Sequence, residues 1–158
     1  MKQRILFICH GNICRSTMAE FVMKHLVREN GVAEQFEIAS AAMTRDAIGC
    51  DTHSGTKEVL RAHNIEVTPR RAVLMTKADY KYYDLVVVMD KENLWDMKRL
   101  IGKDTDGKVH LLLEYAGRPG QEVADPWYTG NFEATYKDVL LGCTELLKHI
   151  KETEKYSL

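Results

Sequence analysis

The sequence predicts a single α/β domain, residues 1–158, built on a parallel sheet with helices on both faces. Three observations predict it. Short apolar runs alternate with segments of helical periodicity along the chain. One of those runs, residues 85–89, is apolar without a break, the pattern of a strand buried on both faces. The length of 158 residues suits one domain with a full hydrophobic core.

Each element follows from its own pattern. Residues 5–8, Ile-Leu-Phe-Ile, form a short buried strand. A helix is expected from Thr17, because Ala19, Val22, Met23 and Leu26 fall at i, i+3, i+4 and i+7. Thr17 and Glu20 match a capping box, and Asn30-Gly31 is a stop signal. Residues 36–39 alternate like a second strand. A helix over residues 53–63 turns Val59 and Leu60 inward. Residues 85–89 are the third strand, Asp90 caps the helix that follows, and Gly102 ends it. Residues 109–113 read as the last strand. Phe132, Tyr136, Val139, Leu140, Cys143, Leu146, Leu147 and Ile150 trace one apolar stripe on a final helix. Two long irregular stretches remain, residues 41–52 and 115–130, and long loops in compact domains are often functional.

Composition narrows the function classes. Hydrophobic residues make up 45% and charged residues 28%, near the globular norm. With 22 basic against 23 acidic residues the formal net charge is -1, which gives no bulk attraction for nucleic acid or anionic lipid. No nucleic-acid or membrane partner is expected, and a monomer is. The run after Met1-Lys2-Gln3-Arg4 is too short for a signal peptide. The four cysteines, Cys9, Cys14, Cys50 and Cys143, do not form the spacing of a secreted disulfide framework. A reducing cytoplasm is the expected location.

The informative string is Cys9-His10-Gly11-Asn12-Ile13-Cys14-Arg15-Ser16, between the first strand and the first helix. In parallel sheets ligands bind at the carboxyl ends of the strands, where Cys9 lies. A helix N-terminus carries unpaired amides and partial positive charge, so it is an anion site. Gly11 is expected to let the backbone turn so that successive amides converge. Arg15 adds a planar fork of donors for two phosphate oxygens. Beneath that phosphate, Cys9 gains a setting that favours the nucleophilic thiolate. Ser16 offers a hydroxyl to the sulfur, and Asn12 ties the loop to its supports.

The string resembles the Cys-x-Gly-Asn-x-Cys-Arg-Ser signature of the low-molecular-weight protein tyrosine phosphatases. The resemblance continues in the family's order through Ser40-Ala41, Met89-Asp90 with Asn93-Leu94, and Asp125-Pro126-Trp127-Tyr128. It implies a four-stranded parallel sheet and a phosphate-binding loop over residues 10–16. It implies hydrolysis of phosphotyrosine proteins or small aryl phosphates in two steps, with no cofactor and no metal. Cys9 is then the nucleophile and Arg15 the phosphate clamp. Asp125 is the acid that protonates the leaving oxygen and later the base that activates water. Trp127 and Tyr128 line the slot for a phenyl ring. A further aromatic wall of the family falls at Asp46 here, which removes one wall and adds a negative charge. Met43 or His10 is the expected substitute surface. Cys14 is implied as the redox partner that protects Cys9 through a reversible disulfide. Thr17 stands where the family often has proline, and a histidine that supports the loop asparagine in some relatives is replaced near Arg70.

Other readings fit less well. A thioredoxin-coupled arsenate reductase needs resolving cysteines around residues 82–89, where this chain has none. Arginine phosphatases of this kind carry threonine where Ile13 stands. A non-catalytic phosphate binder has no need of both Cys9 and Asp125. A zinc site from Cys9, His10 and Cys14 lacks structural-zinc spacing.

Overall fold

The computed structural model describes residues 2–153; Met1 and residues 154–158, which the single-domain reading also covers, lie outside the described residues. Four strands form one parallel sheet: β1 (Gln3–Cys9), β2 (Phe36–Ala42), β3 (Leu85–Val88) and β4 (Val109–Leu111), in the order β2-β1-β3-β4. The helices are α1 (Arg15–Glu29), α2 (Ser54–Ala62), α3 (Lys77–Tyr82), α4 (Lys91–Ile101), α5 (Pro126–Thr129) and α6 (Phe132–Thr153). Short 3₁₀ turns occupy Ala33–Gln35 and Leu112–Ala116.

The strand alternation of β1 builds two cores. Ile5, Phe7 and Cys9 pack with α1, α2 and α6, while Leu6 and Ile8 pack with α3 and α4. Both faces are thus covered, which is why β1 and β3 are apolar on both sides. The chain leaves β1 for β2 on one side and later returns to β3 on the other. The crevice at this switch point, at the carboxyl ends of β1 and β3, is where parallel sheets take ligands.

Several local expectations need correction. Helix α1 starts at Arg15, two residues before Thr17, and the Thr17–Glu20 capping box does not form. The turn that ends at Cys14 runs directly into the helix. Thr17 Oγ1 instead donates to Cys14 O at 3.0 Å, and Glu20 accepts from Ser40 and Lys24. The last strand stops at Leu111 rather than at residue 113. Leu112 and Leu113 are both fully buried in the core of the α1/α6 face. Consecutive strand residues point to opposite faces, so the chain must curl into a 3₁₀ turn to bury both there. The short helix α3, opened by a Thr76–Asp79 capping box, has too few residues to show a periodicity.

Candidate active site

The loop after β1 is shaped by where its carbonyls go. Cys9 O accepts from Met43 N (3.1 Å), and His10 O from Thr44 N (3.1 Å). Arg70 Nη1 donates to Asn12 O at 3.1 Å. Ile13 O accepts from His53 N (2.8 Å) and Cys14 O from Met18 N (3.0 Å). These oxygens therefore turn outward to the scaffold. Across a planar trans peptide the N–H points opposite to the C=O. The amides of residues 10, 11, 13, 14 and 15 are left for the concave side, and no amide of residues 10–16 donates to a protein acceptor among the described residues. That is an anion nest at a helix N-terminus.

Asn12 is the internal post of the loop. It is fully buried with φ 60°. Its Nδ2 donates to Ser16 Oγ (2.7 Å) and Ser40 Oγ (2.9 Å). Its Oδ1 accepts from Arg70 Nη2 (2.8 Å) and Val73 N (3.2 Å). Arg70 thus takes the supporting place that the sequence pointed to. Gly11 was expected to supply the turn, yet the left-handed residue is Asn12, and Gly11 has no positive φ. Cys9 Sγ donates to Ser16 Oγ at 3.0 Å, and once the sulfur is a thiolate the Ser16 hydroxyl proton can turn to it.

Arg15 is 3% exposed and reaches three segments. Its Nη1 donates to Asp90 Oδ2 (2.8 Å) and Val123 O (2.9 Å), and its Nη2 lies 3.4 Å from Asp125 Oδ2. Burial works against the guanidinium charge, and the negative groups of Cys9, Asp90 and Asp125 outweigh it, so Arg15 stays firmly charged. Holding Nη1 on the scaffold leaves the other edge of the fork for an oxyanion. Asp125 caps α5, with Oδ1 accepting from Trp127 N at 3.0 Å and Pro126 at the first helical position. The segment before it is pinned to the sheet by Val123 N donating to Met89 O at 2.9 Å.

These groups enclose a cavity of about 260 Å³ lined by Cys9, His10, Gly11, Ile13, Cys14, Arg15, Asp46, Ala47, Asp125, Trp127 and Tyr128. The Cys14 thiol is pushed up to about 12, by burial first and then by the charges of Cys9 and Asp125. Trp127 and Tyr128 are 63% and 84% exposed, as walls at the mouth. Asn12 and Ser16 do not line the cavity; they sit behind it as supports. Met43 is a correction: its side chain lines a separate cleft with Leu74, Met75 and Arg99, because the β2 alternation turns it to the α4 face. His10 does reach the wall at Asp46.

Sequence reasoning gave Asp90 and Glu20 only capping roles and Ser40 only a place in the resemblance, and it gave none of these three or Ala47 a part in the site. Asp90 follows the apolar run of β3 directly, and that position at a carboxyl edge was its readable signal. Among the described residues, His10, Glu92 and Asp96 are the side chains grouped closely enough to suggest an ion, with ligand atoms within 4.8 Å. Both His10 nitrogens lie against carboxylates, an arrangement that makes ion pairs when the ring is protonated. The Cys9, His10 and Cys14 grouping is not assembled, because the imidazole turns to Asp46 and Glu92.

The family pattern described as low molecular weight phosphotyrosine protein phosphatase matches residues 4–156. The low molecular weight protein-tyrosine-phosphatase YfkJ of Bacillus subtilis is 33% identical over 152 residues, covering 96% of this chain and 97% of the relative. PtpA of Staphylococcus aureus, of the same description, is 33% identical over 146 residues, covering 92% of each. The crystal structure of YfkJ superposes with a TM-score of 0.93 at 32% identity, covering 98% of each chain. That of SP-PTP, a low molecular weight protein tyrosine phosphatase from Streptococcus pyogenes, gives 0.85 at 35% identity over 100% of each. With the signature loop at the carboxyl end of β1 and these matches over nearly the whole length, the chain belongs to the low molecular weight phosphotyrosine protein phosphatase family.

Proposed function

We propose that this chain hydrolyses phosphotyrosine monoesters through a cysteinyl-phosphate on Cys9. The observation that carries the reading is a loop of unpaired amides that lines one cavity together with Cys9, Arg15 and Asp125. Three equatorial phosphate oxygens are held by the amides and Arg15. Cys9 Sγ attacks phosphorus in line, and the bond from phosphorus to the tyrosine oxygen breaks as Asp125 protonates that oxygen. Water then attacks phosphorus and gives its proton to Asp125. The sulfur–phosphorus bond breaks, and the Ser16 hydroxyl receives the departing thiolate. Trp127 and Tyr128 flank the aryl group.

The activity named for the relatives supports the tyrosine reading, and Ile13 leaves a bulky apolar contact in the cavity. We place the enzyme in the cytoplasm as a monomer acting on phosphoproteins or small aryl phosphates. A nucleophile that must stay reduced supports this. No helix among the described residues is long and apolar enough to cross a membrane.

Hydrolysis of phosphotyrosine, phosphoserine and phosphoarginine peptides tests the reading. Phosphotyrosine is the expected substrate. Cys9→Ser should abolish turnover in a folded protein, and Asp125→Asn should slow aryl ester turnover by about 10²- to 10⁴-fold. Full activity in either variant, or preference for another phosphoamino acid, refutes it.

A further inference from the structure

The cavity mouth carries charged side chains that the proposed chemistry leaves idle. His10 Nε2 lies 2.6 Å from Asp46 Oδ2, and His10 Nδ1 lies 3.3 Å from Glu92 Oε1. Asp46 comes from the loop after β2 and Glu92 from the first turn of α4. Asp96, one turn further along α4, brings a carboxylate into the same cluster. On its other side His10 borders a cleft of about 290 Å³ that also holds Arg15, Asp90, Glu122 and Asp125. Arg15 is the one permanent cation lining it, and it is already paired with Asp90 and Asp125.

An imidazole with a carboxylate at each nitrogen can donate to both only as the cation. Burial opposes that charge, but the hydrogen bond and charge of Asp46, followed by those of Glu92, raise His10 above its ordinary 6.5. Asp46 lines the same cavity as Cys9 and Arg15. An uncompensated carboxylate there repels an entering phosphate dianion.

We propose that His10 is a positioning residue whose imidazolium pins Asp46 to the phosphate loop and offsets its charge at the cavity mouth, so that substrate phosphate enters past a less negative wall. The inference rests on the phosphate-binding reading above and adds the group that controls entry. Its sign follows from the raised value. The effect is complete below 6.5 and is lost as pH rises through the value that His10 has in the folded protein. Above it, the neutral ring can donate to only one of its two carboxylates and no longer offsets the charge of Asp46.

Affinity for inorganic phosphate, measured by calorimetry at pH 6 and pH 8.5, tests this in wild type, His10→Gln, Asp46→Asn and the double variant. Comparison at equal pH cancels the titration of phosphate itself. The neutral glutamine of His10→Gln should weaken binding about three- to tenfold at pH 6, for one uncompensated charge in a partly solvated site, and the gap should close at pH 8.5. Adding Asp46→Asn should restore affinity at pH 6, a rescue that a merely structural defect would not give. The ring nitrogen shifts of His10, followed by NMR, should titrate above 6.5 in wild type and lower in Asp46→Asn. Equal affinities at pH 6, failed rescue, or a His10 titration indifferent to Asp46 each overturn the inference while phosphate still binds. Loss of phosphate binding in all four proteins at both pH values would overturn the phosphatase reading as well.

Discussion

Asn12 does two jobs that a sequence reader divides between two residues. It takes the left-handed backbone, φ 60°, which asparagine tolerates better than most residues. It also makes four hydrogen bonds with one amide, two of them to the buried hydroxyls of Ser16 and Ser40. Gly11 bears neither load, since a Cβ there would meet only Ala47 Cβ at 3.7 Å and Ile13 Cγ1 at 3.9 Å, both ordinary contacts. The expected ranking is therefore unusual for a Gly-Asn pair. Asn12→Ala should cost at least about 2 kcal/mol, because it takes a partner from the buried Ser16 and Ser40 hydroxyls and from the half-buried Arg70 guanidinium. Gly11→Ala should cost less than about 1 kcal/mol. Urea unfolding under reducing conditions measures both, and the reverse order would show that Gly11 sets the turn. The sequence marked Asn12 as a tie without saying to what, since its partners lie 28 and 58 residues away at Ser40 and Arg70. Such pairings are visible only once β2 and the following loop are in place.

At the level of elements, legibility tracked periodicity. The unbroken run at β3 and the stripe along α6 were readable because burial alone writes those patterns. The curl after Leu111 was not, because Leu112 and Leu113 look like two more strand residues. What bends them is tertiary: Leu112 must fit beneath α6 at Gly142. A Cβ at Gly142 would lie 2.4 Å from Leu112 Cγ. Intrinsic propensity favours alanine over glycine in a helix interior by about 1 kcal/mol. Overpacking a buried contact costs about 1–3 kcal/mol. Gly142→Ala should therefore lower the urea midpoint despite the better helix former. A raised midpoint would mean that α6 and the 3₁₀ turn have room to separate.

Across the whole molecule, Arg15 makes the site a product of complete folding. Its partners Asp90, Val123 and Asp125 lie 75, 108 and 110 residues further along the chain. The cavity exists only when the ends of β1 and β3 and the loop before α6 meet. A phosphate seated there binds the folded state alone, so occupancy must appear as global stability. Inorganic phosphate at 100 times its Kd should add about 2.7 kcal/mol. For a chain of this size about 1 kcal/mol moves Tm by about 2–4 °C, so a rise of about 5–11 °C is expected in a thermal scan. Arg15→Met should lose most of that rise and also start from a lower Tm, because Asp90 is left half-buried without its partner. Asp125→Asn should keep the rise, since Asp125 moves protons in the proposed reaction and does not hold the anion. A full phosphate-dependent rise in Arg15→Met would place the anion somewhere other than the loop after β1.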